Sequence, residues 1–187
     1  MTLRVTTRSS VLLLLLASSP FLLTTSYAGS DSSLEKAGSV VAIAIPAIAY
    51  GSTYYKDDKQ GREQFYQAFG TTVATTYALK AVIDKERPNG DGDNSFPSSH
   101  ASAAFQSASF IHQRYGLEYS IPAYLGAGFV AYSRLEADEH DTVDVLAGAA
   151  LGMVSSWYFT TNYNDQLLIA PNLSPDYYGL TVNYQFK

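Results

Sequence analysis

Residues 133–144 have the sequence SRLEADEHDTVD, which combines an arginine, a histidine and an aspartate at spacings that favour one shared face. His140 and Asp144 are four residues apart, so on a helix the Asp144 carboxylate can contact the imidazole of His140. A carboxylate that fixes one ring nitrogen leaves the other free as a base or nucleophile. Arg134 adds a planar cation suited to phosphate or carboxylate oxygens. Taken alone, such a His/Asp pair is more often a structural hydrogen bond.

A second pair of charged residues lies upstream of this stretch. Lys80 and Arg87 are seven residues apart, which is two helical turns, so both cations project from the same side of a helix. Pro88 disfavours helical geometry at the residue before it, and the helix is therefore expected to end near Arg87.

A third segment follows a polar loop and begins a helix of small residues. Ser98 and Ser99 precede the run ASAAFQSASFIHQRYG. Serines at the start of a helix, together with its free backbone N–H groups, make an anion site. His100 lies at the mouth of that site, where it can hold a proton for a leaving group.

Together these segments supply three basic side chains, one helix N-terminus and two histidines. Three anion-binding cations match the oxygens of a phosphoryl group, whose transfer depends mostly on positioning and charge stabilisation. A structural role can explain each segment separately but not their coincidence, so the sequence favours a phosphoryl-transfer site.

The three segments resemble the signature of the type 2 phosphatidic acid phosphatase superfamily, which also includes bacterial nonspecific acid phosphatases and vanadium haloperoxidases. The matching motifs are Lys80-x6-Arg87-Pro88, Pro97-Ser98-Ser99-His100 and Ser133-Arg134-x5-His140-x3-Asp144. The chain departs from the family at Ser99, where the family usually has glycine. Because glycine lets the backbone approach a phosphate closely, this departure raises a question about the conformation there.

The resemblance implies an all-α helical bundle and a role for each motif residue. His140 would be the nucleophile that forms a phosphohistidine, Asp144 would orient it, and His100 would act first as general acid and then as general base. The phosphate oxygens would be bound by Lys80, Arg87, Arg134 and Ser98, with the backbone at Ser99 and His100. This scheme requires no metal ion, and one neutral and one protonated histidine give a bell-shaped pH dependence.

Three functions are compatible with these residues. The first is a secreted, metal-independent phosphatase that hydrolyses a lipid phosphate or a small soluble phosphate monoester. The second is a haloperoxidase, which would use vanadate as its cofactor. The third is a non-catalytic module that binds phosphate or lipid, and Ser99 is the feature that favours it.

The N-terminal residues 1–28 are predicted to be a secretory signal peptide. Arg4 and Arg8 precede the apolar run Val11–Leu16, and a small-residue site ends at Ala28. The rival interpretation, an uncleaved membrane anchor, is weakened by Pro20 within the apolar region. Residues 29–187 are then one phosphatase domain with a core at 38–160, and the bacterial periplasm is the predicted location.

The remaining composition excludes several classes of protein. The chain has 12 Lys and Arg and 17 Asp and Glu, and the leader takes two of the basic residues, which leaves 10 − 17 = −7. An acidic domain is a poor candidate for binding nucleic acid. There is no cysteine, so disulfides and thiolate metal sites are excluded. The oligomeric state is left open.

The organisation beyond the leader is predicted to be helical. Apolar stretches occur at 38–50, 65–83, 101–115, 121–134 and 142–159. Polar residues interrupt each of them before the ~20 residues needed to span a bilayer, which predicts a soluble or peripherally membrane-associated bundle. The spacing Gly148–Gly152 fits either a membrane helix contact or close packing. Two short β-like runs in the region 166–187, at 166–170 and at 180–186, the second of them alternating, predict a short C-terminal β-hairpin packed on the helices.

Overall fold

The computed structural model describes residues 30–163, 167–174 and 177–184. Its described part contains five α-helices, which confirms the predicted helical bundle. They are α1 (Ser30–Tyr55), α2 (Lys59–Val82), α3 (Ser99–Tyr115), α4 (Leu117–Glu136) and α5 (Thr142–Phe159). The predicted leader at residues 1–28 lies outside the described residues.

Helix α3 is the centre of the bundle and contacts each of the other four helices. Its small side chains allow this, since Ala101, Ala104 and Ala108 are fully buried. Helix α5 comes closest: a Cβ atom at Gly148 would lie 2.4 Å from the carbonyl oxygen of Ser98. Gly152 makes the same kind of approach one turn further along. The Gly148–Gly152 spacing is therefore the contact between α5 and α3.

The apolar core lies along α3 in two clusters. One is formed with α1 and α4 by Ala42, Ile45, Ala104, Ala108, Ala127 and Val130. The other is more aromatic and is formed by Ala49, Phe65, Phe110 and Ile111. The edge-to-face contact of Phe65 with Phe110, with ring centroids 5.1 Å apart, joins α2 to α3 in this second cluster.

A buried ion pair closes the end of the bundle where α2 begins and α3 ends. The Arg114 guanidinium donates to both carboxylate oxygens of Asp58 at 2.6 Å. The Tyr115 hydroxyl and the Gly61 backbone N–H donate to the same carboxylate. Arg114 also donates to the carbonyl oxygen of Thr161, 3.0 Å away and just beyond α5. Three helix ends are thus joined by one charged cluster that the sequence did not predict.

Much of the surface of this helical body is apolar. Among the described residues, one helix has the length and hydropathy needed to cross a membrane, over Ser33–Tyr55, and it lies near the N-terminus. Large apolar side chains are also exposed on the other outer helices, including Val73, Tyr77, Leu125, Leu146, Val154, Trp157 and Tyr158. Such a surface exceeds the scattered apolar residues of an ordinary soluble domain. The predicted soluble character is therefore not supported, whereas membrane association fits α1.

The C-terminal region contains two paired strands, β1 (Leu167–Ser174) and β2 (Tyr177–Tyr184). They run antiparallel, with Leu167 opposite Tyr184 and Ser174 opposite Tyr177. Within the described residues they contact each other and no helix. The predicted packing of a hairpin on the helical body is therefore not supported. The alternation of residues predicts strands but carries no information about what those strands pack against.

Candidate active site

The loop between α2 and α3 folds back on itself and carries side chains toward the start of α5. The Ser95 N–H donates to the carbonyl oxygen of Lys85 at 2.9 Å, and the Arg87 N–H donates to that of Gly92 at 3.0 Å. These bonds place Lys85 and Ser95 side by side. The Ser98 N–H then donates to the carbonyl oxygen of Asp144 at 3.0 Å, which fixes the start of α3 against α5.

His140 lies immediately before α5 with its imidazole almost fully buried. Its Nδ1 atom is 3.7 Å from Oδ2 of Asp144, beyond hydrogen-bond distance. The Ser95 hydroxyl lies beside both groups: it donates to Oδ2 of Asp144 at 2.5 Å and is 3.4 Å from Nδ1 of His140. His140 and Asp144 are thus close together, but they do not share a helical face as predicted, because His140 precedes the helix. Ser95 is a third member of the group.

Asp144 is completely buried and fully supplied with donors. The Lys85 ammonium donates to Oδ1 at 2.7 Å, while the Ser95 hydroxyl and the Asp141 N–H donate to Oδ2. Lys85 also donates to Asp141, the N-cap of α5, at 2.6 Å. Burial acts to raise the pKa of Asp144, but the hydrogen bonds from Lys85 and Ser95 outweigh it and hold the pKa below its ordinary value. Asp144 therefore stays ionised beside His140.

Sequence reasoning did not identify Lys85 and Ser95 as site residues. Lys85 falls in the spacer of the first motif, and Ser95 lies two residues before the second. Both reach Asp144 because the loop folds back through the backbone bonds described above, and helical periodicity says nothing about such a loop. The available signals were weak: a lysine and a serine close to the matched motifs.

Two of the predicted phosphate-binding cations lie near the ends of their helices. Lys80, in the last turn of α2, donates to the carbonyl oxygen of Asn94 at 2.5 Å. Arg134, in the last turn of α4, is buried and donates to the carbonyl oxygen of Glu35 at 2.5 Å. The Glu35 carboxylate is 3.9 Å from the Arg134 guanidinium. The start of α1 therefore covers this cation.

The third predicted cation, Arg87, forms an ion pair with Glu139, the residue before His140. Glu139 also accepts from the Asn89 amide at 3.3 Å, and the Asn89 N–H donates to the carbonyl oxygen of Asp138. These contacts hold the loop after α2 against the loop before α5. Glu139 is thus a partner of Arg87, so the acidic stretch before His140 includes a residue that pairs with a predicted phosphate-binding cation.

Burial and the positive charges of the predicted cations act on both histidines and lower their pKa values. Burial lowers the pKa of His140 to about 4, and Lys80 contributes further to this shift, against the opposing effect of Asp144. Burial also lowers the pKa of His100, with Arg134 and Arg87 as the next causes. Both imidazoles are therefore neutral at pH 7 in the ligand-free protein, within range of the same positive charges.

The two serines at the start of α3 have different environments. Ser98 is fully buried and caps the helix, because its hydroxyl accepts from the Ala101 N–H at 3.4 Å. Ser99 is the first residue of α3. Among the described non-glycine residues, only Asp57 and Asp138 have a positive φ. Ser99 therefore does not adopt the positive-φ backbone conformation that favours glycine.

Within the described ranges no three His, Asp or Glu side chains are grouped so as to hold a metal ion. The positive charge of the site comes from Lys80, Arg87 and Arg134, with Lys85 behind Asp144.

A family model described as the PAP2 superfamily matches residues 50–167, which include every motif residue discussed above. The chain therefore belongs to the PAP2 superfamily, which confirms the family predicted from the three motifs. In structure it is similar to Aquifex aeolicus LpxE, with a TM-score of 0.60 and 19% identity over 72% of this chain and 87% of that one. This likeness concerns the fold.

Two relatives carry names that specify a reaction. The chain is 29% identical over 170 residues to a lipid A 4'-phosphatase of Helicobacter pylori, which covers 82% of this chain and 85% of that protein. It is 41% identical over 80 residues to a lipid A 1-phosphatase of Porphyromonas gingivalis. That second match spans 41% of this chain but 18% of the relative, so it concerns one part of a longer protein. Both relatives are, by name, phosphoric monoester hydrolases, the class that the motifs predict.

Proposed function

We propose that this protein is a metal-independent phosphatase that hydrolyses a lipid phosphate monoester through a phosphohistidine at His140. The observation that carries the proposal is that the almost fully buried His140 and the half-buried His100 both lie within electrostatic range of Lys80 and Arg87, with Arg134 also acting on His100. A phosphoryl group needs this combination of a nucleophile, an acid and several cations.

The first half-reaction follows from the orientation of the His140 ring. Its Nδ1 faces Ser95 and Asp144, so Nε2 is the nitrogen available to attack phosphorus. As the bond from Nε2 to phosphorus forms, the bond from phosphorus to the ester oxygen breaks, and protonated His100 gives its proton to the departing alkoxide. The ionised Asp144 offsets the positive charge that develops on the His140 ring.

The second half-reaction returns the enzyme to its starting state. Neutral His100 accepts a proton from water, the resulting hydroxide attacks phosphorus, and the bond to Nε2 of His140 breaks. Inorganic phosphate then leaves. Throughout, Lys80, Arg87 and Arg134 stabilise the charge on the non-bridging oxygens, and Glu139 holds Arg87 in place before the substrate arrives.

The lipid character of the substrate is supported by two observations. The relatives named above act, by their names, on lipid A, and α1 has the length and hydropathy of a membrane-spanning helix. We place α1 in the bilayer, with exposed Val40, Ile43 and Ile48 against lipid. The leader-like sequence at 1–28 favours the periplasmic side for the site, in keeping with a substrate of the bacterial envelope.

A pH profile of lipid phosphate hydrolysis tests this function. For wild-type protein in detergent, we expect a bell-shaped kcat/KM with its maximum between about pH 4 and 6.5. His140 must be neutral, and its lowered pKa of about 4 sets the acidic limb. His100 must be protonated, and because its pKa lies below 6.5, activity falls as the pH rises past that value. Phosphate release from a lipid A-type phosphate and from aryl phosphate, each with and without EDTA, measures the profile.

Three outcomes of that experiment would count against the proposal. Abolition by EDTA would contradict the metal-independent scheme. Phosphate binding without turnover on any ester would favour a non-catalytic module. A rate that rises steadily to pH 9 would exclude a protonated histidine as the acid.

Lys85 is a positioning residue for the same reaction, and replacing it by methionine is expected to lower kcat/KM by about 10- to 100-fold. The reason is the loss of a charge-assisted hydrogen bond to buried Asp144, worth ~1.5–3 kcal/mol. Without Lys85 the pKa of Asp144 rises. Because Asp144 must be ionised to offset the charge that develops on His140, the acidic limb of the profile then moves to higher pH. A role confined to folding would leave that limb in place.

The controls separate positioning from a general charge effect. Lys85→Arg keeps the cation and is expected to recover part of the lost rate. Lys59→Met removes an exposed lysine at the opposite end of α2 and is expected to leave the profile unchanged. An unshifted acidic limb in Lys85→Met would refute the positioning role.

A further inference from the structure

A cavity of about 350 Å³ lies beside the site, between α1, α2 and α3. Ile43 and Pro46 line it from α1, Phe69 and Tyr77 from α2, and Ala103 from α3. Its polar boundary is formed by His100 and Ser99 at the start of α3. The cavity is therefore an open, largely apolar groove with one end at the proposed proton donor.

The arrangement of α1 and α2 explains why the cavity exists. The two helices meet near the far end of the bundle, where the Tyr50 hydroxyl is hydrogen-bonded to those of Tyr66 and Tyr54. Closer to the site they leave a space over α3, which presents the small side chain of Ala103 there. Filling this space would need only a larger residue on α3, so the small residue maintains the cavity.

The mouth of the cavity lies on an apolar surface. Ile43 and Tyr77, which line it from opposite sides, are 73% and 62% exposed. Val40, on the preceding turn of α1, is also mostly exposed. An apolar chain can therefore enter between α1 and α2 without first crossing a polar surface.

We propose that this cavity binds a hydrocarbon chain of the leaving group, next to the ester oxygen that His100 protonates. This inference rests on the proposed function and deepens it, because it assigns to this cavity the enzyme's selectivity for a lipid phosphate over a small soluble ester. His100 connects the two sites: a phosphate on His140 places the ester oxygen near His100, and a hydrocarbon chain of the leaving group extends toward Ala103. A volume of 350 Å³ is at the small end for ligand pockets, which favours a single chain.

The test uses Ala103→Trp, which fills the cavity without altering a motif residue. With a long-chain alkyl phosphate, we expect kcat/KM to fall at least about 30-fold, the equivalent of losing two or three buried methylenes at roughly fourfold each. With p-nitrophenyl phosphate, kcat/KM is expected to stay within about twofold. Ala47→Trp, on the exposed side of α1, is the matched control and is expected to change neither substrate.

A second pair of variants avoids any defect in core packing. Ile43→Asp places a charge at the mouth, and Ile48→Asp places the same charge at an exposed position of α1 that does not line the cavity. Both charges face lipid or detergent, so that cost is shared, and we expect Ile43→Asp to lose more activity on the long-chain substrate than Ile48→Asp does. Equal losses on both substrates in Ala103→Trp and Ile43→Asp, or no loss on either, would overturn the chain-binding role. Wild-type protein that hydrolyses neither ester would instead refute the proposed function itself.

Discussion

Replacing His140 by alanine is expected to lower kcat by about 10⁴-fold or more on lipid and soluble phosphate esters alike. Loss of a nucleophile removes the covalent route, and the remaining residues then act only by binding and charge stabilisation. Phosphate release in detergent measures the effect, with circular dichroism to show that the helices are intact.

His112→Ala is the matched control for this variant. His112 also lies in a helix, but its ring packs edge-to-face on Tyr124 between α3 and α4, outside the site. We expect near wild-type activity from it. A His140→Ala enzyme that keeps more than about a tenth of the wild-type kcat would mean that another group attacks the phosphorus.

The largest expected effect on stability comes from Asp58→Asn at the opposite end of the bundle. This change removes the negative partner of buried Arg114 and is expected to lower the free energy of unfolding by about 3–5 kcal/mol, because the guanidinium is left as an uncompensated buried charge. Denaturant unfolding in detergent measures it. Asp58 is remote from the motif residues, so the folded fraction is expected to keep its kcat.

The adjacent residue provides the control. Asp57 is 89% exposed on its side chain and lies 4.0 Å from Arg62. Asp57→Asn is therefore expected to change stability by less than about 1 kcal/mol. Equal effects of the two substitutions would contradict the assignment of Asp58 and Arg114 as a structural ion pair.

The sequence predicted the helices because they depend on short-range spacing, but the helical spacing of the motif residues was wrong in two places. Helix α2 ends at Val82 instead of near Arg87, so Arg87 lies in the following loop and not on the helix that carries Lys80. His140 precedes α5, so its proximity to Asp144 comes from the turn before that helix and not from a shared helical face. The contribution of Lys85 and Ser95 was missed, since it depends on how the loop after α2 folds back. The pair of Asp58 and Arg114 was missed for a related reason: 56 residues separate them, and no local pattern connects them.

The soluble part of the prediction is not supported, and it rested on the polar residues that interrupt each apolar stretch. Many of those polar residues face inward: Ser102, Gln106 and Ser107 of α3 are buried. Apolar side chains such as Val73 and Leu146 face outward instead. The length of an uninterrupted apolar run does not report which face of a helix carries the polar residues, whereas the structure does.

The most direct measurement is mass spectrometry of a trapped phosphoenzyme. His100→Ala lacks the base that activates water, but an aryl phosphate with a good leaving group needs no acid for the first step. We therefore expect this variant, denatured during turnover, to carry a phosphoryl group on His140, and the double variant with His140→Ala to carry none. An unmodified His140, or a phosphoryl group on any other residue, would contradict nucleophilic attack by this histidine.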